Sequence, residues 1–276
     1  MLTELCFHLS DTVTKTDAFY ALLRELTQSG IRYTLSVKNE KLPLSKNSCL
    51  IITDSTAGIA CARTLDIPCL GYAPPETMED LSGAYALFED FASVDLPYLH
   101  RTHAHAAGYP AEILSTKRLL VRELSDADFP ALYAMCTEPS TASFMEEVLS
   151  DYETEREKHA AYLRNVYPIF DLALWGVYEK SSGSLIGRAG FSLPNDDSDA
   201  FSIGYLIDVP YRNRGYAKEL IPALLTYAKE QGYAEVSARI KKGNTASVKA
   251  LEQCGFPYEQ TEDASQGIHL YTIHLT

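Results

Sequence analysis

Long apolar runs are missing from this chain. Nowhere does it approach the roughly 18–20 consecutive apolar residues that a membrane helix needs. Its opening residues lack a basic stretch followed by an apolar one, so neither a membrane partner nor a secretory leader is expected. Cations are scarce: 24 Lys and Arg stand against 37 Asp and Glu, a formal net charge of −13. That balance argues against a nucleic-acid partner, because binding to a phosphate backbone is driven by Lys and Arg. An acidic surface suits solubility and also suits an amine-bearing partner. Cysteine is present but unpatterned. The six, at 6, 49, 61, 69, 136 and 254, form no C-x-x-C pair and no tight ligand spacing. No metal site and no disulfide framework are expected from them, and they read as buried thiols of a cytoplasmic protein. What remains is ordinary for a soluble chain, 46% hydrophobic and 22% charged over 276 residues, with room for two cores.

The first half alternates strand and helix patterns, which predicts a small parallel, Rossmann-like α/β sheet. Leu5 to Leu9 reads as a strand, and Lys15 to Ser29 carries Phe19, Leu22, Leu23 and Leu26 at helical spacing, closed by Gly30. Strands follow at 31–37, 49–53 and 68–72, with a small-residue helix at 57–65. Leu81 to Phe91 is a further helix or strand. His100, His103 and His105 lie at a spacing that does not put the last two on one helical face, and they read as surface or interface residues. Ala106 to Pro110 has the composition of a domain boundary.

Cys49 to Tyr72, CLIITDSTAGIACARTLDIPCLGY, resembles the late core segment of haloacid-dehalogenase-like phosphatases. In the opening Phe7-His8-Leu9-Ser10-Asp11-Thr12-Val13, His8 and Ser10 stand where that family carries two catalytic aspartates. The resemblance also puts Asp54 and Ser55 after the later strand, and Ser36 and Lys41 where a phosphate-binding pair would lie. Phosphoryl transfer of this kind needs two carboxylates around Mg²⁺, and His8 and Ser10 cannot supply them. Residues 1–110 therefore read as a catalytically degenerate domain.

The second half begins with a strand at Lys117 to Glu123. Ser125 to Asp128 caps a helix through Met135, and Tyr152 to Val166 is a second, highly charged helix turning Ala161, Leu163 and Val166 to a core. A hairpin spans Leu172–Tyr178 and Ser184–Leu193 across Lys180 to Gly183. The most informative stretch is Ser202 to Ala217. Ile203, Tyr205 and Ile207 alternate as in a strand, Pro210 stops the ladder, and Arg212-Asn213-Arg214-Gly215-Tyr216-Ala217 opens a helix. A Gly-containing turn at a helix mouth gathers free backbone N–H groups and suits an anion, a pyrophosphate above all. The helix behind it has the stripe Leu220, Ile221, Leu224, Leu225 and Ala228, and Pro222 predicts a kink or a late start. A strand at 235–240, a helix capped by Asn244 to Ser247 and a closing strand at 268–275 complete the order.

From about Ser115 to Thr276 this order is similar to the GNAT superfamily of N-acetyltransferases, nearest the branch with the ribosomal-protein N-terminal alanine acetyltransferases. The resemblance rests on KRLLVREL, IGYLIDVPYRNRGYA and NTASVKALEQCGF. It implies a mixed, mostly antiparallel sheet flanked by helices over 115–276, with acetyl-CoA as cosubstrate. It further implies a pyrophosphate held at Arg212, Asn213, Arg214, Gly215, Tyr216 and Ala217, and a pantetheine paired along Ile207, Asp208 and Val209. Asn244 and Ser247 would touch the cofactor or cap their helix. An N–H near Ile207 would face the thioester carbonyl, making Ile207 a catalytic position. Ser202 stands where the branch uses a Glu, and Leu251 where many members carry a Tyr acid. Tyr205, Asp208, Glu146 and Glu147 are the replacements within reach, unless water carries the proton. The function expected is direct acetyl transfer to a small-molecule amine or a peptide N-terminus. The alternative is a non-catalytic acyl-CoA-binding scaffold, with a phosphatase a more distant third. A homodimer is left open.

Overall fold

The computed structural model describes residues 2–10, 16–35, 47–145, 149–168, 173–192, 201–263 and 267–275, with backbone alone for 259–263. Ser36, Lys41, Asp11 to Val13, Glu146 and Glu147, all singled out above, lie outside the described residues. The chain divides into two units, Met1–Ala111 and Glu112–Thr276.

In the first unit, β1 (Glu4–His8), β2 (Arg32–Leu35), β3 (Cys49–Thr53), β4 (Cys69–Tyr72) and β5 (Ala86–Phe88) form a parallel sheet in the order β2-β1-β3-β4-β5. Every residue of β3 and β4 is buried, as expected for parallel strands covered on both faces. Helices α1 (Asp17–Ser29) and α3 (Leu96–Ala107) cover one face through Phe19, Leu22, Leu26 and Leu99. Helix α2 (Thr56–Leu65) covers the other through Ile59 and Ala62, against Cys6, Cys49 and Cys69. Burial drives the Cys6 thiol up to about 11, so it stays protonated and packs as a small apolar group. Gly30 ends α1 at φ 78°, as the sequence predicts. Of the two alternatives for Leu81 to Phe91 the strand holds, and the surface reading of His103 changes. Leu81 to Phe91 contains the short β5 followed by a 3-10 turn at Phe91–Ser93, and His103 is fully buried with its Nδ1 2.6 Å from the Tyr109 hydroxyl. The α3 stripe places His103 inward, and its polar atom is satisfied locally.

The second unit is built on eight strands: β6 (Glu112–Ser115), β7 (Leu119–Arg122), β8 (Leu174–Glu179), β9 (Leu185–Ser192), β10 (Phe201–Ile207), β11 (Glu235–Lys241), β12 (Tyr258–Asp263) and β13 (Ile268–His274). Their order is β12-β13-β11-β10-β9-β8-β7-β6, antiparallel throughout except for β10 beside β11. This is the mixed, mostly antiparallel sheet expected. The two edge strands, β6 and β12, escape the sequence pattern because neither shows clean apolar alternation, and β6 moves the start of this sheet to Glu112.

Helix α7 (Tyr216–Glu230) packs on one face, where Trp175 meets Tyr227 at 5.4 Å and Phe191, Ile203 and Ile207 join the core. On the other face lie α4 (Phe129–Thr137), the single-turn α5 (Pro139–Ala142) and α6 (Tyr152–Asn165), and the last helix is α8 (Thr245–Gln253). A Ser125–Asp128 capping box starts the α4 segment, with Asp128 Oδ2 accepting from the Ser125 backbone at 2.8 Å. In α6 the buried residue is His159, while Ala161, Leu163 and Val166 are half-buried. Pro222 neither delays nor ends α7. Pro222 and Lys218, whose carbonyl it leaves without an N–H donor, are both exposed, so water can satisfy that carbonyl while the buried stripe holds the helix.

Candidate functional site

Among the described residues, strand β10 meets β11 only at Phe201↔Val236 and Ser202↔Ser237. Its opposite edge stays paired with β9 from Ser202↔Ser192 to Ile207↔Gly187, and Asp208 N donates to Ile186 O at 2.8 Å beyond it. In an antiparallel ladder alternate residues aim their backbone groups at the same neighbour. Gly204, Leu206 and Asp208 therefore face β9, and Ile203, Tyr205 and Ile207 turn N–H and C=O towards the β11 side. The Ser237 hydroxyl donating to Phe201 O at 3.3 Å marks that direction where the two strands still touch. Past Ser202 the strands part, and β11 continues with β13 as its neighbour. The result is a wedge, closed near Ser202 and open at Ile207, lined on one side by backbone groups able to pair with an amide-bearing chain.

The anion turn sits at the open end. Asp208 caps a 3-10 turn over Val209–Tyr211, with its Oδ1 accepting from Val209 N at 2.8 Å. Asn213 and Gly215 follow at φ 62° and 78°, and α7 starts at Tyr216 without a side-chain cap. An intrahelical partner is lacking for the first N–H groups of such a helix, so they converge on the turn. Within the protein the demand on Gly215 is its backbone angle, since a Cβ there would meet only Arg118 Nη2, at 3.7 Å.

The structure narrows the role expected for Arg212. Its N–H donates to Val209 O, its Nε to Ile207 O at 2.9 Å, and its guanidinium reaches Ser140 Oγ at 3.0 Å and Thr141 Oγ1 at 2.5 Å. Arg212 thus ties the end of β10 to α5, which leaves the backbone N–H groups of 213–217 at the helix mouth. Tyr216 contributes backbone alone, because its hydroxyl donates to Glu179. The Arg214 guanidinium stands 5.2 Å from the Tyr211 ring.

Sequence reasoning missed the clamp behind this turn. Glu219 accepts from Thr116 Oγ1 at 2.6 Å, Arg118 N at 2.8 Å and Arg118 Nε at 2.6 Å. Arg118 then donates through Nη1 to Arg214 O at 2.9 Å and lies over the Tyr216 ring at 4.4 Å. Burial works against the Glu219 charge, but the bonds from Thr116 and Arg118 outweigh it and hold the carboxyl below its ordinary range.

Across the wedge, the Tyr205 hydroxyl donates to Ser247 O on α8 at 3.3 Å, and burial raises its phenol above the usual value. Asn244 takes the capping role, its Oδ1 accepting from Ser247 N at 3.2 Å. Leu251, one turn further along α8, is fully buried in the core. The structure thus brings together Tyr205, Ile207, Asp208, Val209 and 212–217 at one end of β10, with Asn244 and Ser247 facing Tyr205 from α8. Ser202 lies apart, at the closed end of the wedge.

The family described as acetyltransferase (GNAT) domain matches residues 118–257. The chain belongs to the GNAT acetyltransferases. Among curated relatives, the uncharacterized protein YkkB of Bacillus subtilis (strain 168) is 27% identical over 151 residues, covering 54% of this chain and 87% of its own. The uncharacterized N-acetyltransferase YoaA of the same organism is 26% identical over 156 residues, covering 53% and 84%. Two solved structures share the fold: a GNAT-family acetyltransferase from Bacillus anthracis (TM-score 0.51, 22% identity, 59% of this chain and 98% of that one), and RimL, a ribosomal L7/L12 alpha-N-protein acetyltransferase in complex with coenzyme A (TM-score 0.51, 15% identity, 59% and 98%). A GNAT domain uses acetyl-CoA, and the wedge with its helix-mouth turn has the backbone donors that such a ligand requires.

Proposed function

We propose that this chain is an acetyl-CoA-dependent N-acetyltransferase in which an amine acceptor attacks the thioester directly in a ternary complex. The observation carrying the reading is the early parting of β10 and β11 directly beside the Asn213–Ala217 turn. Pantetheine amides pair with the backbone of Tyr205 and with the N–H of Ile207, whose C=O already accepts from Arg212 Nε, and the pyrophosphate rests on the N–H groups of 213–217. A backbone N–H of Ile207 or Tyr205 holds the oxyanion as the amine nitrogen bonds to the acetyl carbon. The C–S bond then breaks, and the leaving thiolate takes the proton of the Tyr205 phenol, which burial keeps protonated at neutral pH. The proton lost by the acceptor nitrogen returns through water to Tyr205, so the enzyme ends unchanged. Asp208 and Val209 are engaged within the chain: Asp208 N donates to Ile186 O, Asp208 O accepts from Tyr211 N, and the Asp208 carboxylate accepts from Val209 N, so pairing of the pantetheine moves from 207–209 to Tyr205 and Ile207.

Calorimetry with acetyl-CoA, followed by thiol release over a panel of amines, tests the reading. Binding with amine-dependent thiol release is expected. No acetyl-CoA binding by the folded chain would overturn it, and binding without release from any amine would leave an acyl-CoA-binding scaffold.

For the first unit we propose a degenerate haloacid-dehalogenase-like domain serving acceptor access, dimerisation or partner binding in the cytoplasm. What supports this is the end of its sheet at β1 and β3, where strand order reverses and such folds place their chemistry. There Asp54 Oδ1 accepts from Ser10 N at 3.0 Å and a second carboxylate oxygen takes the Ser10 hydroxyl, while Thr53 Oγ1 donates to His8 O at 2.8 Å. Asp54 is spent on Ser10. Incubation with Mg²⁺ and generic phosphomonoesters is expected to yield no phosphate, and turnover abolished by Asp54→Asn would refute the proposal.

A further inference from the structure

Arg188 sits in β9 opposite Leu206 of β10 on one side and Gly176 of β8 on the other. Its neighbours Ala189 and Phe191 belong to the core on the α7 side, so Arg188 projects from the opposite face, under α4 and α6. There its charge acts on the buried Cys136 and Tyr167 and the half-buried Tyr162, with Glu155 acting on the same Cys136 and Glu123 on the same Tyr167. Arg188 itself is half-buried. Among the described residues no carboxylate lies within ion-pair distance of it and no acceptor takes a hydrogen bond from it. The two tyrosine hydroxyls are engaged with backbone: Tyr162 accepts from Leu174 N at 2.8 Å, and Tyr167 donates to Leu174 O at 2.8 Å and accepts from Leu124 N at 3.1 Å. Other arginines of this unit are spent differently. Arg118 pairs with Glu219, Arg122 with Asp128, and Arg212 with Ser140 and Thr141.

A guanidinium has five donors and no way to shed its charge, so half-burial without an anion is costly. Glu155 and Glu123 act on the same groups, yet among the described residues neither makes a direct ion pair with Arg188. The position of Arg188 is also specific. It lies one strand away from β10, level with the Tyr205–Ile207 segment whose backbone faces the wedge. The line along which a pantetheine would run is a second strand spacing further, about 10 Å from the Arg188 backbone in all.

We infer that Arg188 is an acceptor-binding residue and that the acceptor is an amine carrying its own carboxylate, an amino acid or an acidic peptide. A planar, bidentate carboxylate site on the α4/α6 face fixes the acceptor while its nitrogen reaches the thioester. The acidic bulk charge of the chain, which suits a cationic partner, is then overruled locally. This assignment rests on the acetyltransferase reading above.

The test uses the full chain with acetyl-CoA and matched acceptors: free amino acids and acidic dipeptides, each beside its own carboxamide, and a linear triamine. The carboxylate member of a pair is expected to show at least tenfold higher kcat/KM. Arg188→Gln is expected to lower that value at least tenfold through KM of the acceptor, so that the ratio within the pair collapses towards one, and Arg188→Lys to restore part of it. Equal use of both members, preference for the triamine, no acetylation of any carboxylate-bearing amine, or a ratio unaltered in Arg188→Gln would each overturn the inference. Should Arg188→Gln fail to fold, the wild-type ratios and Arg188→Lys decide. Acetyl-CoA binding is measured in parallel: if it is present while the preference is absent, this inference alone fails, and if it is absent the parent reading fails with it.

Discussion

Replacing Gly215 by Asp separates the folding demand on the anion turn from its binding role. Gly215 has φ 78°, a region that costs an L-residue about 1–2 kcal/mol. Asp tolerates it better than most residues, and as the N-cap of α7 it would regain about 1 kcal/mol from the helix N–H groups. Its Cβ meets only Arg118 Nη2, at 3.7 Å, so no steric cost is added within the chain. Folding stability should therefore drop by about 1 kcal/mol or less. Ligand binding is a different matter. A carboxylate about 5 Å from a phosphate charge, at an effective dielectric of about 20, is repelled by about 3 kcal/mol. Solvent screening at this exposed site lowers that to about 1.5–3 kcal/mol, or roughly ten- to a hundredfold in affinity. Gly215→Ala brings the strain without the charge. Calorimetric titration with CoA should rank wild type, then Gly215→Ala, then Gly215→Asp, the last gap at least tenfold and shrinking as salt is added. Denaturant unfolding should rank the two variants within about 1 kcal/mol of each other. A folded Gly215→Asp that binds CoA as tightly as Gly215→Ala would remove the turn from the pyrophosphate site.

The Glu219 carboxyl is depressed below its ordinary range, so its contribution is complete above about pH 4.3 and fades as pH falls through its folded value. CoA affinity of the wild type should weaken in that acidic window, while Glu219→Gln should bind more weakly at neutral pH and show a flatter profile; superimposable titrations would refute the clamp. Tyr205→Phe should lower kcat by about ten- to a hundredfold with CoA still bound, and the wild-type rate should hold to about pH 10 because burial raises the phenol. An unchanged kcat would leave thiolate protonation to water. In the first unit, a Cβ on Gly58 would stand 1.9 Å from Thr53 Oγ1 and 2.8 Å from His8 Nδ1, against a fully buried Thr53. Gly58→Ala should cost about 1–3 kcal/mol, read as a lowered thermal transition, with CoA affinity as in the wild type; an unshifted melt would refute that close approach.

Much of this protein was legible from its residues because the governing interactions are local. Helix α1 follows from its apolar spacing and the left-handed Gly30, and the turn at 212–217 from a Gly placed between a strand and an apolar stripe. Asn244 caps α8 within four residues. The edge strands β6 and β12 were not legible, since what defines them is a partner strand rather than a pattern of their own. Pro222 misled for a related reason: the rule is local, but the buried stripe beneath it and solvent above it decide the outcome.

By itself, then, the sequence determined the two kinds of sheet, the helix-mouth turn and the GNAT membership, all of which depend on residues near one another along the chain. Tertiary structure alone decided which of those residues are available for chemistry. Arg212 is withdrawn by partners 71 and 72 positions away, Arg118 and Glu219 meet across a separation of 101, and the edge of β10 is opened by where β11 departs. A backbone N–H or a guanidinium is the same group wherever it stands, and its function depends on whether the fold has already given it a partner.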